Sequence, residues 1–281
     1  MRTAESICFL CKKEKATKLN SHIFPKFLSK SILGNKNAKR GYIISTNGTE
    51  LTQDTDKEDH MLCPLCEQYF SVLETYISSR LHNRLWDIRR SPEFTIHQNE
   101  GGICWKVCEE INPIIVRLFI YSIIWRCSIT STPVCNDFKL DEMEEEILRT
   151  LLNACNSDTQ TNLLTNQSKF DSSGHQIPFL FFTSESFADR TGNMLFANPA
   201  TKNPYQIALN EYMLIFSFRN NETQEKFNFL NNIDNEKIKV GFFKEDFWKN
   251  IRDQLIGQVT DSLKAKIKET GQNPLQIRLR K

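Results

Sequence analysis

Apolar residues recur at helical spacing in several stretches of the chain. One stretch runs from about Glu67 to Arg89, and others cover about 112–130, 140–155 and 244–269. In the first, the residues on one face are Phe70, Leu73, Ile77, Leu81, Leu85 and Ile88. In the third, Asp141 is a candidate cap, and the inward-facing residues are Leu148, Leu151 and Leu152. The pattern predicts four helices.

Strand-like stretches lie before and between these helices. Residues 42–51 contain Asn47-Gly48, a strong two-residue turn signal, and predict a hairpin. Residues 93–110 read as strand and connection. Further strands are predicted at 177–183, 194–197 and 211–219, where aromatic and β-favouring residues are frequent. The polar stretch 156–174 is interpreted as a loop.

These elements favour an α+β protein of two units. We predict a small unit over residues 1–92, and a mixed helical and strand domain over 93–281. No internal repeat occurs, and the second unit carries no catalytic signature. Its role is therefore open.

No apolar run has the length of a membrane span. The best candidate, 114–124, is interrupted by Arg117, and the N-terminus has no apolar signal region. These observations predict a cytoplasmic protein that does not enter the membrane.

Basic residues concentrate near the N-terminus, although the whole chain carries a net charge of only +2. Residues 1–40 hold ten Lys and Arg against two Glu, which gives a net charge of +8. Such a segment suits an anionic partner such as nucleic acid, and a solvated lysine surface is the alternative.

The chain has nine cysteines. Because the count is odd and the protein is predicted to be cytoplasmic, a disulfide framework is not expected. Four of them form two C-x-x-C pairs, Cys8/Cys11 and Cys63/Cys66, which 51 residues separate. Zinc takes four tetrahedral ligands and binds thiolates well, so two such pairs can close one site. The order of pair, hairpin, pair and helix is the plan of a treble-clef zinc finger. Coincidence among nine cysteines is the alternative.

Two further motifs extend this pattern. They are Ser21-His22-Ile23-Phe24-Pro25 and Leu62-Cys63-Pro64-Leu65-Cys66-Glu67. Over about 80 residues the chain resembles the HNH-type endonucleases, treble-clef proteins with two C-x-x-C knuckles. It also resembles a group of bacterial proteins without an assigned activity. Those share SHIxPKF and LCxxCE motifs and a later Trp-Arg pair, here Trp125-Arg126.

The HNH resemblance implies roles for single residues. His22 would be the general base that activates water against a phosphodiester. The family's metal ligand before that histidine is replaced by Ser21, a poor ligand, and its histidine after the second knuckle is replaced by Glu67. A carboxylate there suits catalytic Mg²⁺ or Mn²⁺. Other candidate ligands are Asp54, Asp56, Asp59 and His60, and Glu74 is a ligand or a supporting group.

Structural explanations stand beside these roles. His22 could simply hydrogen-bond across the finger, and Glu67 could complement the dipole of the helix that it opens. The pair Trp125-Arg126 is interpreted as a packing and ion-pair feature, and the basic residues at 278–281 as a solvated tail.

The resulting hypothesis is a metal-dependent HNH-like endonuclease with structural zinc, acting on DNA more than RNA. The residues expected to contact the nucleic-acid backbone are Lys26, Lys30, Lys36, Lys39 and Arg40. The alternative is a non-catalytic zinc module that binds nucleic acid or a partner protein. The resemblance further implies a role in bacterial anti-phage defence, with an ATPase as a possible protein partner.

Overall fold

The computed structural model describes the chain in twelve stretches. They are residues 2–33, 41–45, 48–52, 54–82, 93–135, 137–171, 176–185, 194–199, 201–219, 221–233, 236–270 and 277–279.

Helices and strands are both abundant, as an α+β fold requires. The helices are α1 (Lys30–Leu33), α2 (Pro64–Ile77), α3 (Pro113–Ile129), α4 (Glu142–Ala154), α5 (Gln160–Asp171), α6 (Glu222–Lys226) and α7 (Glu245–Thr270). The strands are β1 (Ser21–His22), β2 (Gly41–Ser45), β3 (Gly48–Thr52), β4 (Lys57–Glu58), β5 (Phe94–Gln98), β6 (Cys104–Cys108), β7 (Phe179–Ser184), β8 (Leu195–Ala197), β9 (Tyr205–Leu209), β10 (Tyr212–Phe216), β11 (Ile238–Phe243) and β12 (Ile277–Leu279).

The strands form one large sheet and two small ones. The large sheet has seven strands in the order β5-β6-β11-β7-β10-β9-β8. Its pairs are antiparallel, except that β11 runs parallel to β7. In the N-terminal region β1 pairs with β4, and the hairpin β2–β3 gains β12 from the end of the chain.

Helix α3 lies at the centre of the molecule. The Asn112 side chain caps its first turn by accepting hydrogen bonds from the amides of Ile114 and Ile115, and Pro113 suits the first helical position. Every residue from 114 to 129 is buried, because α2, α4 and α5 surround the helix.

One contiguous core joins the two predicted units. The ring of Phe70 on α2 meets Trp125 on α3 edge-to-face at 6.1 Å, and Phe27 stacks on Phe119 at 6.0 Å. A second apolar cluster, which includes Trp248 and Leu255 of α7, covers another part of the large sheet. The boundary predicted at residue 92 lies outside the described residues, and the two-unit division stays a prediction.

Most predicted elements are present. The hairpin and the helices at 112–130, 140–155 and 244–269 are confirmed within a few residues, with Asp141 as N-cap. The predicted helix from Glu67 begins earlier, at Pro64, and changes to a π-helix at Ser78–His82. The end of that prediction, 83–89, lies outside the described residues.

Three interpretations of the sequence were wrong or incomplete. Residues 156–174 are not a loop throughout, because α5 occupies 160–171 and buries Leu163 and Phe170, seven residues apart on one face. Strands β9 and β11 had no predicted counterpart. Arg278, predicted to lie in a solvated tail, is instead part of β12, which pairs with β3, whereas Arg280 and Lys281 lie outside the described residues.

Among the described residues, no helix combines the length and the apolar character that crossing a bilayer requires.

Candidate metal centre and the histidine beside it

Cys8, Cys11, Cys63 and Cys66 come together at one point. Their four sulfur atoms all lie within 4.8 Å of one another, and the sulfurs of Cys11 and Cys63 are 4.0 Å apart. Four thiolates at tetrahedral zinc would be about 3.8 Å apart, given a Zn–S bond of about 2.3 Å. The geometry therefore fits a single metal ion.

The two knuckles have matching backbone turns. The amide of Lys12 donates to the carbonyl of Cys8 at 3.0 Å, and the amide of Glu67 donates to the carbonyl of Cys63 at 3.0 Å. Lys12 closes the first knuckle in the left-handed region, with φ of 55°. The second knuckle is continued by α2, so that Cys66 lies in the first helical turn. Each turn brings its two sulfurs to the same side of the chain.

The crowded sulfurs cannot all ionise without a cation. A hydrogen bond from the Cys66 thiol lowers the pKa of Cys8 to about 5, and the same bond raises the pKa of Cys66. Burial raises the pKa of Cys63. A divalent cation would offset the repulsion between the thiolates and allow all four to bind as anions.

Helix α4 and the segment just after it contact the cysteine cluster. The Asn156 amide, just after α4, donates to the sulfur of Cys66 at 3.3 Å. Arg149 of α4 donates to the carbonyl of Leu10, inside the first knuckle, at 3.0 Å. Hydrogen bonds to a ligand and to its backbone orient the ligand and tune its charge.

His22 lies on β1, opposite Lys57 of β4. Its side chain is half-buried, and Nδ1 shares a hydrogen bond of 2.6 Å with the Thr55 hydroxyl. Burial, with the charge of Lys57 next, lowers the pKa of His22 to about 4. The imidazole is therefore neutral at neutral pH.

Cations predominate around this imidazole. Lys57, Arg126 and Lys26 act on His22 as positive charges, and Asp54 is the opposing carboxylate. Asp54 is itself paired, because its Oδ2 lies 2.6 Å from the Lys57 ammonium. The surroundings of His22 thus combine a neutral base with three cations, of which Lys57 is paired with Asp54 and Lys26 is exposed. Such surroundings suit an anionic group such as a phosphate.

We expect the His22 resonances to remain those of a neutral imidazole in an NMR titration from pH 8 to about 5. The folded pKa of about 4 lies below the unfolded value of 6.5, so protonation favours the unfolded chain. The free energy of unfolding that depends on neutral His22 is complete above pH 6.5. It should decrease by about 2 kcal/mol, after allowance for solvent screening, as the pH falls toward 4. Loss of the signal in His22→Ala assigns it among the five histidines. A midpoint near 6.5 would contradict the buried environment.

Trp125 and Arg126 form a packing and ion-pair feature, as the sequence suggested. Trp125 is fully buried. Arg126 donates to the Glu74 carboxylate at 2.7 Å and lies over the Phe70 ring, 5.0 Å from its centre. Glu74 is thus a partner of Arg126. Burial raises its pKa although Arg126 opposes the shift.

Glu67 lies in the first turn of α2 and is half-buried. Within the described stretches, its carboxylate makes no side-chain hydrogen bond or ion pair. Ser21, at the position where the HNH resemblance implies a metal ligand, is completely buried, so that its hydroxyl cannot reach solvent. Of these two positions, only Glu67 is open to a ligand.

The remaining candidate ligands have structural contacts. Asp56 is buried and accepts from the amide of Val134, and Asp59 accepts from the amide of Asn20 at 2.7 Å. The Nδ1 atom of His60 bonds the Ala16 carbonyl at 3.0 Å. Across the residues that the structure describes, the four cysteines are the only group of three or more such side chains close enough to share a metal.

The predicted nucleic-acid contacts are described only in part. Lys26 is exposed at the start of the 3-10 turn that follows β1, and Lys30 opens α1. Lys36, Lys39 and Arg40 lie outside the described residues.

Sequence reasoning missed the contacts made by Thr55, Arg126 and Asn156. Each is more than 30 residues from its partner in sequence. Nothing in the local pattern marks them, because these polar residues acquire their roles only when separate elements pack together.

Comparison with known proteins gave no match. No family model, curated protein or solved structure matches the chain.

Proposed function

We propose that the protein is a metal-dependent, HNH-like endonuclease whose treble-clef finger is held by structural zinc. The observation that supports this best is the environment of His22. A neutral, half-exposed imidazole lies on a short strand beside the finger, with Lys57, Lys26 and Arg126 around it.

Zinc is the metal that the four-cysteine centre suits best. Four thiolates in tetrahedral proximity are a common structural zinc site, and a closed set of four protein ligands leaves no position for a substrate. The metal's role there is to fix α2 and the first knuckle, and hence the platform that carries His22.

The hydrogen bond to Thr55 suits His22 to the role of base. When Nδ1–H donates to the Thr55 hydroxyl, Nε2 keeps its lone pair and can accept a proton from an attacking water. Its low pKa keeps this lone pair available at neutral pH. Exposed Lys26 would attract the phosphate, and the surrounding cations would stabilise the negative charge that develops on it.

Glu67 is the residue that would hold a catalytic Mg²⁺ or Mn²⁺. Such an ion keeps several waters and needs only one or two protein carboxylates, so the lack of another three-ligand cluster among the described residues is compatible with it. When bound, it would stabilise the charge on the phosphate and on the leaving oxygen.

The substrate would be nucleic acid, with DNA preferred to RNA in our proposal. The positive net charge of the N-terminal segment favours contacts with phosphates. Of the basic residues predicted to contact nucleic acid, Lys26 is exposed and lies near His22. A role in anti-phage defence and a partner ATPase follow from the resemblance alone.

One observation favours the alternative, a zinc module that binds nucleic acid without cutting it. Glu74 is bound to Arg126 and Ser21 is buried, so two positions that could have supplied metal ligands do not do so. Of Ser21, Glu67 and Glu74, only the Glu67 carboxylate is then available to bind a catalytic ion.

Incubation of the zinc-loaded protein with plasmid DNA and with a single-stranded RNA, in Mg²⁺, Mn²⁺ or EDTA, tests both functions. Metal-dependent nicking or RNA cleavage supports the nuclease. Salt-sensitive binding in a gel-shift assay, without cleavage by the protein or by a reconstituted complex, supports the binding module.

A further inference from the structure

Arg126 connects the centre of the protein to the backbone of His22. Its Nη1 atom donates to the His22 carbonyl at 2.8 Å and to the Glu74 carboxylate at 2.7 Å. Its Nε and Nη2 atoms donate to the carbonyl and hydroxyl of Ser122, one turn earlier on α3. The guanidinium thus binds three separate residues at once.

The guanidinium has little freedom to move. Its side chain is only 3% exposed, it lies over the Phe70 ring, and neighbouring Trp125 is fully buried. A buried arginine with its donors satisfied is rigid, because any rotation leaves a charged N–H without a partner.

The backbone at His22 needs such an anchor. Strand β1 has only two residues, and its ladder to β4 consists of the pairs Ser21–Glu58 and His22–Lys57. Beyond that ladder, the Ile23 amide donates to the Asp56 carbonyl at 3.2 Å. Two paired residues restrain a strand weakly. Arg126 adds a charge-assisted hydrogen bond to the peptide group that joins His22 to Ile23.

Glu74 links this anchor to the metal centre. It lies on α2, whose first turn contains Cys66. The metal fixes the beginning of α2, and α2 presents Glu74, which holds Arg126 against the His22 carbonyl. Helix α3, from the C-terminal part of the chain, is therefore part of the support of the finger's histidine.

We propose that Arg126 is a positioning residue for His22, which sets the orientation of the imidazole through the His22 carbonyl. The inference rests on the proposed function only where activity is concerned, since the contact itself is independent of catalysis. A base displaced by about 1 Å can lose about 100-fold in rate, so the anchor would act on kcat rather than on substrate binding.

The charged groups that face the imidazole are Lys57, Asp54, Arg126 and Lys26. Removing the charge of Arg126 therefore relieves one of the three cations that oppose protonation, and the pKa of His22 should rise.

The test compares Arg126→Gln with Arg117→Gln in the zinc-loaded, full-length protein. Arg117 is a matched control on the same helix. It is also completely buried, but it donates to the carbonyls of Asn232 and Ile233, away from His22. Three quantities are measured: the pKa of His22 by NMR, the amide ¹⁵N shift of Ile23, and kcat and KM for nucleic-acid cleavage.

We expect Arg126→Gln to raise the pKa of His22, to shift the Ile23 amide, and to lower kcat about 10- to 100-fold with KM nearly unchanged. Arg117→Gln should lower thermal stability but leave all three quantities as in the wild type. If Arg126→Gln does not fold, Arg126→Lys serves instead. It keeps the charge but not the forked donor geometry, so the Ile23 amide should shift while the pKa changes little.

A folded, zinc-loaded Arg126 variant with an unshifted Ile23 amide and wild-type kcat would overturn the proposal. A wild-type protein that cuts no nucleic acid would overturn the proposed function instead. In that case the NMR measurements alone decide whether Arg126 positions His22.

Discussion

Replacement of Cys66 by serine is expected to abolish metal binding and to unfold the N-terminal part of the protein. A serine hydroxyl is a poor zinc ligand, and the three remaining sulfurs cannot close the tetrahedron. Structural zinc contributes on the order of 10 kcal/mol to folding, which is comparable with the whole stability of a domain, about 5–15 kcal/mol. The variant should therefore contain almost no zinc by elemental analysis, and it should lose its cooperative thermal transition.

Cys104→Ser is the matched control. Cys104 is a partly buried free cysteine on β6, outside the four-sulfur cluster. It should retain one metal ion per chain and a near-normal transition. A Cys66→Ser protein that is soluble, fully folded and as stable as this control would disprove the structural role of the metal.

Replacement of His22 by alanine should lower nicking of plasmid DNA in Mg²⁺ or Mn²⁺ by about 10²- to 10⁴-fold, the usual contribution of a general base. Nε2 of His22 is the proposed proton acceptor, and within the described stretches its other ring nitrogen is held by Thr55. The metal content should not change, because His22 is not a member of the cysteine cluster. Single-turnover cleavage and zinc analysis on the same preparation measure both quantities.

His97→Ala controls for the loss of an imidazole in general. His97 is exposed on β5, where it stacks on Trp105 at 5.4 Å between ring centres. This variant should cut at the wild-type rate. Unchanged cleavage by zinc-loaded His22→Ala would exclude His22 as the base, whatever other residue supports the reaction.

The sequence was most informative where chemistry and spacing are local. The two C-x-x-C pairs predicted the cysteine cluster, and apolar periodicity predicted helices α2, α3, α4 and α7, since a buried face leaves a regular signal. The sequence of α5 is mostly polar, so it was predicted to be a loop. Only Leu163 and Phe170 mark the buried face of this helix, over two turns.

Local pattern could not reveal contacts that depend on packing. The turn between β9 and β10 is an exception, because Asn210, with a φ of 63°, is a local hairpin signal that the predicted 211–219 strand left out. The contact of Arg126 with His22 joins residues 104 positions apart. Its existence follows from where α3 is packed, which no short motif encodes.

Because the core is shared, the N-terminal segment that carries the cysteine cluster depends on the rest of the chain. Excised alone, residues 1–92 would present Phe27 and Phe70 to water where Phe119 and Trp125 now cover them, and would also lose the amide that Asn156 offers to Cys66. Metal binding by itself would then have to stabilise a segment whose apolar surface is exposed to water. We therefore expect this segment to fold properly only together with the helices that cover it.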